Sequence, residues 1–181
     1  MGNSKNMQKL IDKFYIDFKS SHLKVGHIFI LVIHVLICIF FWKAYSNQFI
    51  DKETLKTGTM FYFFMTTFLL MVGYYRQLRN YKVYILWLIV GIGQYIVYVA
   101  TKDNPDFMMF RGSSLTPMRA LLFMLLTLQL FRQLYMLLTP WDLIITYRRF
   151  TWHDTEDNRK MIWLDVVFSI IIYGVTILAC V

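Results

Sequence analysis

One charged residue, Arg132, lies inside an otherwise apolar stretch of the sequence, with Gln129 and Gln133 beside it. A charge at the centre of a bilayer costs at least about 3 kcal/mol, and residues that bear this cost usually serve a function. Asp165 carries the opposite charge near the start of the last apolar stretch. The sequence therefore predicts an ion pair between Arg132 and Asp165 that joins the last two membrane helices. The alternative is that both side chains face lipid headgroups.

The depth of Arg132 decides whether it needs a buried partner. Arg132 lies 15 residues after Pro117, or roughly 22 Å along a helix that begins there. This position is close to one membrane surface, and the aliphatic stem of arginine can carry the guanidinium to water. A helix that began at residue 120 would instead place Arg132 centrally. We favour the first placement, in which Arg132 reaches the headgroups.

A second group of polar residues is spread over the apolar stretches and could form a polar seam between helices. Its members are His34, Thr66, Thr67, Gln94, Thr127 and Gln129. Such a seam either lines a water path or joins helices by hydrogen bonds, and the second role is the commoner one. Haem ligation by His34 would require a histidine on an opposing helix, and the other apolar stretches contain none. We therefore expect no cofactor and no bound metal.

The densest polar cluster near a predicted membrane surface consists of His153, Asp154, Glu156 and Asp157. It could serve an enzyme that acts on lipid, but such a cluster is more typical of a solvated loop. The sequence has no phosphate-binding loop, no metal-ligand cluster and no nucleophile beside a base. We therefore assign no catalytic residue.

Long apolar blocks separated by charges are the main feature of the chain. Of its 181 residues, 57% are hydrophobic and 17% are charged. About 20 mostly apolar residues are enough to cross a bilayer as a helix. The sequence predicts an all-α transmembrane domain over residues 25–181 with about five spans, although four are possible. The predicted spans are about 25–43, 57–75, 83–101, 117–138 and 161–181.

Two further segments are predicted to be amphipathic. Residues 1–24 place apolar side chains on one helical face, which favours a helix lying on the membrane or packed on a partner protein. The apolar positions are Met7, Leu10, Ile11, Phe14 and Phe18. Thr139 and Pro140 are typical of a helix start, and they predict a short interfacial helix over residues 140–150. Its Trp141, Ile144, Ile145 and Tyr147 would face lipid.

The distribution of positive charge predicts the orientation. The formal net charge is +8, and most of the 19 Lys and Arg residues fall on the side that contains the N-terminus. Because cytoplasmic loops collect Lys and Arg, we expect the N-terminus on the cytoplasmic or matrix side and the C-terminus on the opposite side. The membrane would be a plasma, inner or mitochondrial inner membrane. Anionic lipid headgroups are the expected partners of this basic face, and nucleic acid is not expected.

Short loops and the lack of a recognisable catalytic motif favour a non-catalytic role. We interpret the chain as an accessory or structural subunit of a larger membrane complex, with the lipid bilayer and other proteins as its partners. The alternative is a small homo-oligomeric channel or transporter that uses the polar seam.

Overall fold

Five long helices account for most of the computed structural model, which describes residues 23–110, 112–139, 141–145, 153–154, 159–160 and 162–181. They are α1 (Val25–Asn47), α2 (Lys52–Gly73), α3 (Tyr81–Thr101), α4 (Pro117–Leu138) and α5 (Trp163–Cys180). Each is long and apolar enough to cross a membrane. The prediction of an all-α protein with five spans is therefore confirmed at this level. The predicted amphipathic segment falls mainly on residues 1–22, outside the described residues.

The helix starts follow from local capping. Asp51 precedes α2, and its Oδ2 accepts a hydrogen bond from the Thr54 amide at 3.2 Å. This cap allows α2 to begin at Lys52, ahead of the apolar stretch itself. Pro117 occupies the first turn of α4, where its missing N–H costs nothing. For that reason α4 begins where the fourth span was predicted to begin, and its end at Leu138 also agrees with the prediction.

Short connections make α1, α2 and α3 successively antiparallel, whereas longer segments link α3 to α4 and α4 to α5. A 3₁₀ turn at Gln77–Arg79 joins α2 to α3, and a second one at Pro105–Phe107 lies between α3 and α4. Two pairs of two-residue antiparallel strands complete the described connections. They are β1 (Met108–Met109) with β2 (Gly112–Ser113), and β3 (His153–Asp154) with β4 (Arg159–Lys160).

The register of each strand pair is defined by its outermost pair of residues. Met108 pairs with Ser113, and His153 pairs with Lys160. Gly112 has a φ of 115°, a backbone conformation that glycine adopts without strain. It therefore suits the return from β1 to β2.

The tightest packing lies among α3, α4 and α5. Large side chains of this core are almost completely buried: Trp87, Leu121, Met124, Leu125 and Ile172. At Gly91 an added Cβ would lie 3.4 Å from the backbone of Leu122, so the absence of a side chain lets α3 and α4 approach closely. The Arg119 Nε at the start of α4 donates to the Ala179 carbonyl at the end of α5, at 2.9 Å. These two helices are therefore antiparallel neighbours.

Helix α1 is peripheral. Of its 23 residues, only His27, His34 and Ala44 are buried.

We call the side of the bundle on which α1 begins the N-terminal side, and the side on which α5 ends the C-terminal side.

The segment after α4 corrects one prediction. The described residues 141–145 are not helical, and Leu143, Ile144 and Ile145 are only 2–3% exposed. The prediction of an interfacial helix with Ile144 and Ile145 toward lipid is therefore wrong for these residues. The chain instead folds back between α4 and α5 and buries its apolar side chains in the protein.

Candidate functional site

Arg132 is held by a carboxylate inside the protein. Its Nε donates to Asp142 Oδ1 at 2.6 Å, and its Nη2 donates to Asp142 Oδ2 at 2.5 Å. The Arg132 side chain is only 4% exposed. The preferred prediction that Arg132 extends to the headgroups is therefore wrong. The reason is the fold-back after α4, which brings Asp142 to the depth of Arg132 and removes the need to reach water.

A second arginine shares the same carboxylate. The Nε of Arg79 lies 3.4 Å from Asp142 Oδ2. Burial alone would raise the pKa of the Asp142 carboxyl, but the hydrogen bonds from Arg132 and the charges of Arg79 and Arg132 outweigh it. The pKa of Asp142 is consequently held below its ordinary value, and the carboxylate is ionised at neutral pH.

Asp165 lies beside this pair and is fully buried. Its Oδ1 accepts a hydrogen bond from the Ile144 amide at 3.0 Å, and its Oδ2 accepts one from the Ile162 amide at 2.9 Å. The second bond caps α5. Arg132 and Asp165 thus hold the same segment, 142–144, from two helices. The predicted direct ion pair between Arg132 and Asp165 stays a prediction.

Arg79, Arg132, Asp142 and Asp165 form what we call the charged cluster. Its members, together with Ser169, satisfy the backbone of a segment that has no helical hydrogen bonds. Leu143 donates its N–H to Asp142 Oδ1 at 2.8 Å, and its carbonyl accepts from Arg79 Nη2 at 2.7 Å. The carbonyl of Ile144 accepts from Ser169 Oγ at 3.4 Å.

Irregular backbone at membrane depth is tolerated only where the protein satisfies its polar groups. The charged cluster provides these partners for Leu143 and Ile144. Its direct chemical effect is therefore to hold the returning segment in place, which is a structural role rather than a catalytic one.

His34 is the centre of a second polar arrangement, which we call the His34 network. The Gln94 amide donates to His34 Nε2 at 2.6 Å, so a neutral His34 carries its proton on Nδ1 and donates it to the Tyr62 hydroxyl at 2.7 Å. The Cys38 thiol lies 3.7 Å from the same Nε2. The network thereby joins α1 to α2 and α3 within the apolar layer.

The residues of the predicted polar seam occupy two regions. His34 and Gln94 are in direct contact, and Thr66 lies against Tyr62 of the same network. Gln129 lies beside Arg132 at the edge of a cavity of about 10 Å³ on the N-terminal side. Thr67 is buried and Thr127 is half-buried. Their role as a water path stays a prediction.

The sequence analysis does not identify Asp142 and His27 as residues that form contacts between segments. It places Asp142 in a new helix. The position of Asp142, ten residues after Arg132 and beyond a proline, is a signal that the chain could fold back. His27 also contacts Tyr74, the residue that follows α2, through a hydrogen bond between its Nδ1 and the tyrosine hydroxyl. The common face of His27 and His34, seven residues apart, is the pattern that could have revealed how α1 attaches.

An apolar cavity of about 390 Å³ lies between α1, α2 and α3 on the C-terminal side of the His34 network. Cys38 and Gln94 line it at the depth of the network, and Tyr45 and Thr101 line it at the other end. Both helices advance by seven residues over this distance, which corresponds to about 10 Å. The cavity therefore occupies the half of the apolar layer nearer the C-terminal side.

The end of this cavity is closed by the connection between α3 and α4. Lys52 Nζ lies 2.6 Å from Asp106 Oδ1, and the Tyr45 hydroxyl donates to Asp106 Oδ2 at 3.3 Å. The Asn104 amide donates to the Tyr45 hydroxyl at 3.1 Å. The hydrogen bond from Lys52 holds the pKa of the Asp106 carboxyl below its usual range. Phe107, next to Asp106, is buried over the cavity.

Among the described residues, no group of three or more His, Cys, Asp or Glu side chains could hold a metal ion. Of the polar cluster proposed for a lipid enzyme, His153 and Asp154 are described only as backbone in β3, and Glu156 and Asp157 lie outside the described residues. No protein-family model, curated protein or solved structure matches this chain.

Proposed function

We propose that the protein is a non-catalytic accessory subunit of a larger membrane assembly, with α1 as its contact to a partner. The observation that carries this proposal is the packing of α1. This helix fully buries only two histidines and one alanine and turns most of its large apolar side chains outward. Inward-facing apolar residues such as Leu31 and Phe41 are only half-buried against the bundle.

The energetics of membrane helices favour a partner on this outward face. Membrane helices associate through close packing and hydrogen bonds rather than through a hydrophobic effect. Each interhelical hydrogen bond contributes on average about 0.6 kcal/mol and at most about 1.7 kcal/mol. The bonds of His27 and His34, with the partial burial of residues such as Phe41, therefore attach α1 less firmly than α4 and α5 are attached to each other. A partner helix would supply the packing that the other described residues do not.

The exposed apolar residues on the outward face of α1 form a strip along the helix. Its exposed apolar residues recur at helical spacing. They include Val25, Phe29, Leu36 and Phe40, which are between 49% and 83% exposed. An apolar helix from another polypeptide would cover this strip.

The non-catalytic part of the proposal is supported by the two polar sites. In the charged cluster the carboxylates bind arginines and backbone amides, and in the His34 network the side chains bind one another. Groups that are engaged in this way hold the fold together. They favour an architectural role over a reactive one.

Site-specific photo-cross-linking in native membranes tests the proposal. A photoreactive amino acid replaces Leu36 on α1, and the matched control replaces Leu178 on α5, which is 75% exposed. We expect a cross-linked product of higher mass, containing a second kind of polypeptide, from position 36 and much less of it from position 178. Mass spectrometry of the product identifies the partner.

The other outcomes are equally informative. A product that contains two copies of this chain would favour the homo-oligomeric channel or transporter, and ion flux lost on Gln94→Leu would then support it. If neither position yields a protein product and the chain is monomeric in native-lipid nanodiscs, the accessory-subunit proposal is wrong.

A further inference from the structure

The cavity between α1, α2 and α3 has the size of a ligand site and lies inside the apolar layer. Its volume of about 390 Å³ falls within the range of about 300–1,000 Å³ typical of small-molecule sites. From its position we propose that it binds one acyl chain of a membrane phospholipid. This site is distinct from the outward face of α1 and needs no protein partner.

The polar side chains that line the cavity, apart from the largely exposed Trp42, already have partners within the protein. They belong to Cys38, Tyr45, Thr59, Gln94 and Thr101. The Thr59 hydroxyl donates to the carbonyl of Leu55 at 2.8 Å, and the Thr101 hydroxyl donates to the carbonyl of Val97 at 2.6 Å. Both threonines can thus present their methyl groups to the cavity.

The remaining three polar groups also have partners. Gln94 and Cys38 contact His34, and Tyr45 contacts Asn104 and Asp106. A polar ligand would compete with these existing contacts, whereas hydrocarbon needs no hydrogen-bond partner. The chemistry of the lining therefore selects an alkyl chain.

The cavity opens sideways, toward lipid. The His34–Gln94 contact closes one end, and Phe107 and Leu115, which are 7% and 5% exposed, close the other. By contrast, the lining residues Val35, Ile39 and Trp42 of α1 and Val97 of α3 are 38–57% exposed. In a bilayer this gap between α1 and α3 meets acyl chains, because no other molecule is as abundant at that depth.

The surface above the opening can hold a phosphate headgroup. Lys43 lies one residue beyond Trp42 on α1, and Lys102 lies one residue beyond Thr101 at the end of α3. Both lysines are exposed. Cations at this depth attract the anionic headgroups of phospholipids. Charge at the surface and hydrocarbon below it together fit a phospholipid rather than an uncharged oil.

Photolabelling of the full-length protein in vesicles tests this inference. The probe is phosphatidylglycerol with a photoreactive diazirine near the end of one acyl chain, diluted into phosphatidylcholine. In the unmodified protein we expect label on residues deep in the cavity, such as Phe63 and Met118, identified by mass spectrometry. Label confined to outward residues such as Leu36 would overturn the proposal without any variant.

A pair of glycine variants sharpens the test. Gly93 lines the cavity, and an added Cβ there meets no atom within 4 Å. Gly93→Leu should fill the cavity and lower the labelling of Phe63 by about tenfold or more, because the new side chain takes the place of several methylenes. The control is Gly174→Leu in α5, where an added Cβ is equally unobstructed. Equal labelling in both variants would overturn the proposal.

A second probe tests the headgroup. Diacylglycerol with the same photoreactive chain lacks the phosphate. We expect it to label the cavity less than phosphatidylglycerol does, and we expect Lys43→Gln combined with Lys102→Gln to remove the difference. Equal labelling of the unmodified protein by the two probes would overturn the assignment to a phospholipid.

Discussion

Arg132 and Asp142 face each other through two hydrogen bonds, although Asp142 belongs to the segment that leaves the helix carrying Arg132. The distance in sequence is short, but the chain must reverse to make the contact. Arg132 therefore holds the returning segment against its own helix, and Asp165 holds the same segment from α5. The charged cluster closes the bundle on the N-terminal side.

Removal of one partner of this pair should be costly. Arg132→Leu leaves the Asp142 carboxylate buried with a weaker set of partners, and we expect a loss of about 3–5 kcal/mol in unfolding free energy. Thermal denaturation in mild detergent measures the effect. Lys82→Gln, at an exposed position, is the control and should change little. A stability of Arg132→Leu equal to that of the control would show that the pair contributes nothing.

Charge exchange distinguishes the two candidate partners of Arg132. Arg132→Asp combined with Asp142→Arg restores opposite charges at the observed contact, so we expect it to recover more stability than Arg132→Asp combined with Asp165→Arg. The comparison uses the melting temperature of each double variant against Arg132→Asp alone. Better recovery with Asp165→Arg would instead support the ion pair predicted from the sequence.

Acid should destabilise the protein through Asp142. Its folded-state pKa is lowered, so the unfolded chain takes up a proton more readily than the folded one as the pH falls. The stabilisation is complete well above the unfolded pKa of about 3.9 and is lost as the pH falls below it, through the folded pKa. Melting temperatures between pH 7 and pH 3 should show this loss. In Asp142→Asn the same acid limb should be smaller, and an unchanged limb would contradict the assignment.

His34 and Gln94 should behave as a coupled pair. His34→Leu leaves the Gln94 amide without its acceptor in an apolar layer, and Gln94→Leu leaves His34 without its donor. We expect each variant to lose about 1–2 kcal/mol, and the double variant to lose clearly less than the sum of the two. A double-mutant cycle in detergent measures the coupling. Additive losses would mean that the contact contributes nothing.

Gly91 should tolerate only the smallest side chain. An added Cβ lies 3.4 Å from the Leu122 backbone, which alanine can accept, whereas Gly91→Leu must separate α3 from α4. We expect Gly91→Leu to cost about 1–3 kcal/mol, read from the melting temperature. Gly174→Leu is the matched control, because its added Cβ meets no neighbour.

The helices could be predicted because backbone N–H and C=O groups in hydrocarbon can form hydrogen bonds only with one another. Apolar length alone located all five, and Pro117 fixed the start of α4 to the residue. The start of α2 was less predictable. Its first turn is polar, and its position depends on the Asp51 cap rather than on apolar length.

The sites were only partly predictable. His34 and Gln94 were grouped by polarity, but their contact depends on the relative depth of α1 and α3, which no local pattern encodes. Thr139 and Pro140 favour a helix start, but the chain folds back after Thr139. Burial of Leu143 and Ile145 outweighed this local preference for a helix. The cavity is a space between helices, and the spacing of residues along one helix does not reveal it.

The order in which the chain is synthesised determines when the returning segment can neutralise the charge of Arg132. Arg132 enters the membrane before Asp142, so α4 carries an uncompensated cation until the returning segment has been synthesised. Translation must therefore proceed at least through Asp142 before α4 can settle at its final depth.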